Sequence, residues 1–253
     1  MKPAWKILFA CLFIPPGLFS QQDYVDSLFI QANRYYEGGQ HAEAANTYNR
    51  ILDQGFEHPD LYYNLGNAYY QLGWLGEAIW AYEKGLQLNP GDTDLGFNLQ
   101  VTNARTVDRV EAPEVFFLLK WYGALKNRFS PTQWMSIISV IFFSTGIVFS
   151  VSRFILTNFR RLLGNFVVLG VVATIISGLV FADRYLEVSE RKEAIVIVRE
   201  GKVFSEPTEV SNLMFVVHSG TKAQIKSSRD PWFEIELMDG KRGWIRWSSV
   251  KPL

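Results

Sequence analysis

Residues 62–90 read YYNLGNAYYQLGWLGEAIWAYEKGLQLNP, and this stretch decides how the N-terminal half of the chain folds. Several of its residues recur 34 positions earlier, which pairs Asn67 with Asn33, Tyr69 with Tyr35, Ala78 with Ala44 and Tyr82 with Tyr48. A period of this length is typical of stacked helical hairpins, in which small residues let two helix axes approach each other. Gly39 and Gly73 would form the turns within the hairpins, and Pro90 would end the second one.

The second copy, residues 59–92, resembles the tetratricopeptide repeat (TPR), and the first copy, residues 25–58, resembles it more loosely because its terminal proline is missing. The resemblance implies TPR hairpins with a capping helix over residues 25–109 and a concave face that binds peptides or proteins. By motif position, the partner-binding residues on that face would be Phe29, Asn33, Tyr36, Tyr63, Asn67, Tyr70 and Gln71.

In many repeats of this family, asparagines at the positions of Asn33 and Asn67 bond to the backbone of a bound peptide, so both are expected to point outward. Family members that clamp a terminal carboxylate add Lys or Arg nearby, and the matching positions here hold neither. The alternative is that these side chains only solvate the face or pack against the chain's own surface helix.

Two uncharged runs, residues 129–152 and 162–182, are each long enough to cross a bilayer, which takes about 20 residues. Because both are apolar on every face, they predict transmembrane helices over 130–152 and 162–182 rather than a buried hairpin. Small residues would allow these helices to pack closely, within the pair or against a partner's helix. They are Gly146 and Ser150 in the first span and Gly170, Thr174 and Gly178 in the second; a chance distribution is the alternative.

The flanking segments predict the topology. Residues 1–20 have the basic start and apolar core of a secretory signal, which would carry the following chain across the membrane. The loop 153–161 holds three arginines and no acid, and its charge density favours a cytoplasmic location. The segments before the first span and after the second also hold three basic residues each, so the signal decides the topology. Residues 113–129 combine aromatic residues with Lys and Arg and predict an interfacial amphipathic helix. Residues 183–193 would be a charged linker. Both large segments would then lie on the extracytoplasmic side.

Residues 190–253 change to a period of two. Phe233, Ile235 and Leu237 alternate with Glu234 and Glu236, which predicts a strand with one buried face. Asp239-Gly240 then predicts a tight hairpin. The segment is similar to bacterial SH3-like domains, and this resemblance implies an all-β small barrel that binds peptidoglycan peptides or protein segments. Trp232 and Trp244 are its candidate surface residues, with a role in the core as the alternative.

The composition argues against several function classes. Lys and Arg number 25, as do Asp and Glu, so no basic domain suggests a nucleic-acid partner. None of the three histidines has the spacing of a metal site, and Cys11 is the only cysteine. We therefore expect no catalytic residues, no metal and no cofactor, and a protein that is not an enzyme.

These segments predict a multi-domain membrane protein with all-α TPR hairpins, two transmembrane helices and a C-terminal SH3-like barrel. Their order resembles the BatE-type member of the Bacteroides aerotolerance (Bat) family. The resemblance implies an inner-membrane protein with both domains in the periplasm, acting in an envelope complex linked to aerotolerance or stress tolerance. Its partners would be von Willebrand factor A-type Bat proteins and, indirectly, a MoxR-type ATPase. The alternative function is a peptidoglycan-binding sensor of the cell wall that acts through the SH3-like domain.

Overall fold

The computed structural model describes residues 17–108, 116–154, 158–190 and 192–253. The chain divides into two compact units, residues 1–57 and residues 58–253. Most of the predicted signal, including Cys11, lies outside the described residues, as do 155–157 of the predicted cytoplasmic loop and 113–115 of the predicted interfacial helix.

The first unit is a helical hairpin. Helix α1 spans Gly17–Glu37 and helix α2 spans His41–Asp53, so α1 begins within the predicted signal. Ala32 and Ala44 are fully buried between the two helices, as expected for small residues that allow close approach. Between the helices Gly39 adopts a φ of 73°, a left-handed conformation that favours glycine. The predicted first hairpin is therefore confirmed.

The second unit begins with three helices, α3 (Pro59–Gln71), α4 (Leu75–Leu88) and α5 (Thr93–Asn103). A side chain at Gly66 would overlap the ring of Tyr82, which shows how closely α3 and α4 pack. Helix α4 ends just before Pro90, as predicted. Helix α5 packs on α4 through Leu95, which is fully buried, and the carboxylate of Asp92 caps its first turn. This helix is shorter than the predicted cap, and residues 104–108 leave it as an irregular segment.

Three further helices follow, α6 (Phe117–Asn127), α7 (Pro131–Ser152) and α8 (Asn158–Glu190). By length and composition, α7 and α8 could each cross a membrane. Only 6% of the most apolar 18-residue stretch of each helix is buried in the structure. The two helices pack along one face, where Gly170 lies directly against Thr145. A Cβ atom added at Gly146 or Gly178 would meet no atom of another residue's side chain or of the other helix within 4 Å. Among the predicted glycines, only Gly170 therefore lies in close contact within this pair.

Helix α8 continues through Glu190, beyond the predicted span, so most of the expected linker is helical. This extension binds α6: the Tyr122 hydroxyl donates to Asp183 at 2.8 Å, and Lys126 Nζ lies 2.9 Å from Asp183 and 3.0 Å from Glu187. Desolvation lowers the pKa of Lys126, but the hydrogen bonds and charges of these two carboxylates more than offset it and raise that pKa. These ion pairs hold the exposed, aromatic-rich helix α6 at the end of the apolar hairpin.

The remaining residues form a seven-stranded antiparallel sheet in the order β3-β2-β6-β5-β4-β1-β7. The strands are β1 (Glu193–Val196), β2 (Glu200–Phe204), β3 (Leu213–His218), β4 (Lys222–Arg229), β5 (Trp232–Glu236), β6 (Arg242–Arg246) and β7 (Val250–Pro252). Ile235 and Leu237 lie in its buried core, as their alternation predicts. The predicted hairpin between β5 and β6 is also confirmed, with Gly240 at a φ of 84°.

Candidate functional site

Each helical hairpin contains the same hydrogen bond between its two helices. The hydroxyl of Tyr48 donates to the side-chain oxygen of Asn33 at 2.6 Å, and that of Tyr82 donates to Asn67 at 2.8 Å. Both tyrosines are 1% exposed, and a buried hydroxyl requires an acceptor. The expectation that the two asparagines point outward is therefore wrong for their amide oxygens, which face the second helix of their own hairpin. Their partner-binding role remains a prediction.

The aromatic residues predicted on the face of the first hairpin also pack inside that hairpin. The ring of Phe29 lies 6.0 Å from that of Tyr48, and the ring of Tyr36 lies 5.1 Å from His41. Burial raises the pKa of Tyr48 far above its usual range, and electrostatic interactions with the nearby Tyr36 and Glu37 raise it further. Phe29 and Tyr36 are half-buried, so each still presents part of its ring to solvent.

The predicted face of the second hairpin gains one residue from α5 and one from the segment that follows it. The side-chain nitrogen of Asn98 donates to the oxygen of Asn67 at 2.8 Å, and the guanidinium of Arg105 lies 4.8 Å from the centre of the Tyr70 ring. Tyr63 is half-buried, and Gln71 is exposed. The motif positions of this face hold no Lys or Arg, so Arg105 was not among the predicted residues. The 34-residue period could have found Arg105, which lies one repeat beyond Gln71.

Helix α4 packs directly against the sheet. The indole N–H of Trp80 donates to the carbonyl of Pro252 at 2.8 Å, and Lys251 Nζ lies 3.3 Å from the centre of the Trp80 ring. At the start of the helix, the backbone N–H of Gly76 donates to Ser219 Oγ at 2.9 Å. No side chain fits at Gly76, because its Cβ would overlap the Val196 carbonyl oxygen. The second repeat and the sheet are therefore one packed body.

Asp108 fastens the segment after α5 to the turn between β3 and β4. One carboxylate oxygen accepts the backbone N–H of His218 and the hydroxyl of Thr221, both at 2.7 Å, and the other lies 2.8 Å from His218 Nδ1. Burial on its own would raise the pKa of Asp108, but these hydrogen bonds and the charge of His218 outweigh it and lower that pKa. Because a carboxylate accepts all three contacts, the clamp is strongest when Asp108 is ionised.

A cleft of about 650 Å³ opens beside this junction, where four segments of the chain converge. Its polar and aromatic lining comes from the α3–α4 turn, the segment after α5, and two turns of the sheet, and it includes Trp74, Glu77, Arg105, Arg199, Glu200 and His218. Burial raises the pKa of Glu77, although its own backbone N–H and the charge of Lys251 oppose that shift. The volume is in the range of sites that hold a small molecule or a short peptide.

The two tryptophans predicted as surface candidates have different environments. Trp232 is 5% exposed and packs edge-on against Phe204, at 5.8 Å, with the guanidinium of Arg246 5.1 Å from its ring centre. Trp244 is half-buried beside Arg229, at 5.8 Å. Of the two, only Trp244 offers appreciable surface for a contact.

Residues 31–93 match the family model of the tetratricopeptide repeat. The match extends from within α1 to the start of α5 and so includes both hairpins. Repeats of this kind are protein-interaction modules that present an extended binding surface. No curated protein matches the chain. Within the described ranges, no group of three or more His, Cys, Asp or Glu side chains is arranged to hold a metal ion.

Proposed function

We propose that this protein is a membrane-anchored scaffold that binds other proteins through its TPR hairpins and is not an enzyme. The observation that carries this proposal is the family match over residues 31–93 together with the partly exposed second-repeat face of Tyr63, Tyr70 and Gln71. Aromatic rings beside hydrogen-bonding side chains are well suited to a peptide, because they combine apolar area with polar specificity.

The junction between α4 and the sheet supports a common side of the membrane for both parts. Trp80 and Pro252 are in direct contact, whereas α7 and α8 lie between them in the sequence. If those two helices form a membrane hairpin, the chain must return to the side from which it entered. We place that side in the periplasm, on the strength of the signal-like residues 1–20 and the arginine-rich loop 153–161.

Within this proposal, the C-terminal sheet is an SH3-like barrel, and the whole chain is a subunit of a Bat-type envelope complex linked to aerotolerance or stress tolerance. Its partners would be von Willebrand factor A-type Bat proteins and, through them, a MoxR-type ATPase. The order of segments along the chain supports this assignment, because it places an interaction module, a membrane hairpin and a small β-domain as that family does.

Photocrosslinking in intact cells tests the scaffold role. A photoreactive amino acid at Gln71, exposed on the second-repeat face, should capture membrane proteins that mass spectrometry then identifies. The matched control is Gln87, which is exposed on α4 of the same repeat but lies off that face. Adducts with von Willebrand factor A-type proteins at Gln71 alone would support the full assignment. Equal adducts at both positions, or none at Gln71, would reject the scaffold role. Muropeptide adducts at a third probe, placed at Trp244 of the sheet, would favour the wall sensor.

A topology map tests the membrane arrangement independently. Because the chain has one cysteine, Cys11, single cysteines introduced into a Cys11→Ser background report accessibility without interference. Positions Gln71 and Lys241 should both react with a membrane-impermeant maleimide in spheroplasts, and Arg153 should react only after lysis. Reaction of Gln71 and Lys241 on opposite sides would contradict both the topology and the packed junction.

A further inference from the structure

Two guanidinium groups line the cleft between the second repeat and the sheet without an ion-pair partner. Arg105 follows α5, and Arg199 lies in the turn between β1 and β2. In the part of the chain that the structure describes, neither forms a salt bridge or a hydrogen bond to a carboxylate. Other cations around the junction are engaged: Lys222 lies 3.1 Å from both Glu83 and Glu193. The two arginines are therefore available to an anionic group from outside.

The lining is mixed, but its balance is positive, because Lys251 offsets one of the two carboxylates that face the two arginines. Glu77 and Glu200 face the same cleft, and the charge of Lys251 acts on Glu77. A simple anion would meet these carboxylates as well as the arginines, and it would gain little. A peptide fits better, because it offers a carboxylate to guanidinium groups and backbone N–H donors to carboxylates.

The cleft is continuous with the TPR face through Arg105, whose guanidinium also covers the Tyr70 ring. Trp74 is 49% exposed and stacks on Tyr69 at 5.9 Å, and Val107 is 72% exposed. An extended segment that crosses Tyr70 would therefore reach apolar surface and two guanidinium groups in succession. Its far end would contact Arg199 of the sheet, a residue that lies outside the repeat motif.

We propose that this cleft binds an acidic peptide segment, whose carboxylate is received jointly by Arg105 from the repeat and Arg199 from the sheet. The inference rests on the proposed scaffold role and specifies the chemistry of the segment that is bound. It also assigns the sheet a share in recognition, because the site is complete only when the sheet is packed on α4. Planar guanidinium groups suit this task, since each presents paired donors to a carboxylate.

Affinity selection with the full-length protein in lipid nanodiscs tests this site. Acidic, neutral and basic pools of random pentapeptides, each with a free C-terminus, are passed over the immobilised protein, and the retained peptides are quantified by mass spectrometry. The acidic pool should be enriched over the other two. Arg105→Gln and Arg199→Gln should each lower retention of that pool about tenfold, because each removes charge-assisted hydrogen bonds.

Arg229→Gln is the matched control, because it removes an exposed arginine of the same sheet that does not line the cleft. Its retention should equal that of the wild type. Arg199→Lys keeps the charge without the paired donors and should retain an intermediate fraction, which separates recognition from misfolding. Equal retention of all three pools, or unchanged retention by the Arg105→Gln/Arg199→Gln double variant, would overturn the proposal. If retention is unchanged in the double variant and crosslinking at Gln71 persists, the acidic site fails while the scaffold role stands.

Discussion

The indole N–H of Trp80 in α4 donates a hydrogen bond to the carbonyl of Pro252 in β7, a residue 172 positions later. The contact brings the start and the end of the second unit together, although the apolar helices α7 and α8 lie between Trp80 and Pro252 in the sequence. The second TPR hairpin is thus capped by a β-sheet rather than by a complete third repeat. Packing of this kind joins the second repeat to the sheet, although α6, α7 and α8 separate the two in the sequence.

Replacing Trp80 with phenylalanine should weaken this junction. The Trp80→Phe side chain keeps an aromatic ring against Tyr62 and Lys251 but loses the indole donor. We expect the free energy of unfolding to fall by about 1 kcal/mol, the usual net contribution of one hydrogen bond. Denaturant unfolding in detergent micelles, followed by tryptophan fluorescence, measures it. Trp74→Phe, at a half-exposed ring, is the control, and an equal loss in both variants would contradict the assigned role.

Two glycine substitutions should have opposite effects. At Gly76 a methyl group would overlap the Val196 carbonyl and approach Ser219 Oγ to 2.7 Å, so Gly76→Ala should destabilise the junction by about 1–3 kcal/mol. At Gly96, inside α5, nothing lies within 4 Å, so Gly96→Ala should stabilise the helix by up to about 1 kcal/mol. Hydrogen exchange of the β1 and β7 amides reports the first effect directly. Slower exchange in Gly76→Ala would show that the close approach is misplaced.

Acid should loosen the clamp at Asp108. Its pKa lies below the ordinary value of about 3.9, so the folded state binds this proton less readily than the unfolded chain does. The stabilisation is therefore complete above about pH 4 and is lost as the pH falls through the lowered pKa. Asp108→Asn should cost about 1–2 kcal/mol at neutral pH, because it removes a charged acceptor. Urea midpoints measured from neutral to acidic pH test this.

The decisive quantity is the difference between wild type and Asp108→Asn. It should shrink below about pH 4, because the wild-type carboxyl then also becomes neutral. Asp53→Asn, at an exposed position at the end of α2, should show no such convergence. A difference that stays constant over the whole range would mean that the charge of Asp108 does not contribute.

The hydrogen bond between Asn67 and Tyr82 allows fold stability and partner binding to be tested with different variants. Asn67→Ala should lower the free energy of unfolding by about 1–2 kcal/mol, because it removes an acceptor for a buried hydroxyl. In a double-mutant cycle with Tyr82→Phe, the coupling energy should be about 0.5–1.5 kcal/mol. Gln71→Ala should leave unfolding unchanged and reduce partner capture. A zero coupling energy would show that the hydrogen bond contributes nothing to the repeat.

Much of the secondary structure could be predicted, because it follows from local patterns. The 34-residue period predicts the hairpins, since small residues such as Ala44 must recur wherever two helix axes touch. Hydropathy predicts α7 and α8, because an uninterrupted apolar run has few other structures available to it. Asp239-Gly240 predicts the β5–β6 turn, since that turn needs a positive φ.

The environment of the candidate site was less predictable. The positions of Asn33 and Asn67 in the motif follow from the sequence, but the motif does not show which way each amide faces. In the structure the buried hydroxyls of Tyr48 and Tyr82 determine it. Helix α8 extends past its apolar run, and on this extension Asp183 and Glu187 form ion pairs with Lys126 of another helix, a partner that no local pattern reveals.

By itself, the sequence determined the repeating hairpins, the two apolar helices and the alternating strands, because backbone periodicity and water impose those patterns over a few residues. Only the tertiary structure decided that α4 would press against the sheet and that Arg105 and Arg199 would line one cleft. Such contacts join residues far apart in the chain and depend on how complete surfaces fit together. A glycine at position 76 is an ordinary helix residue until the Val196 carbonyl lies where its side chain would be.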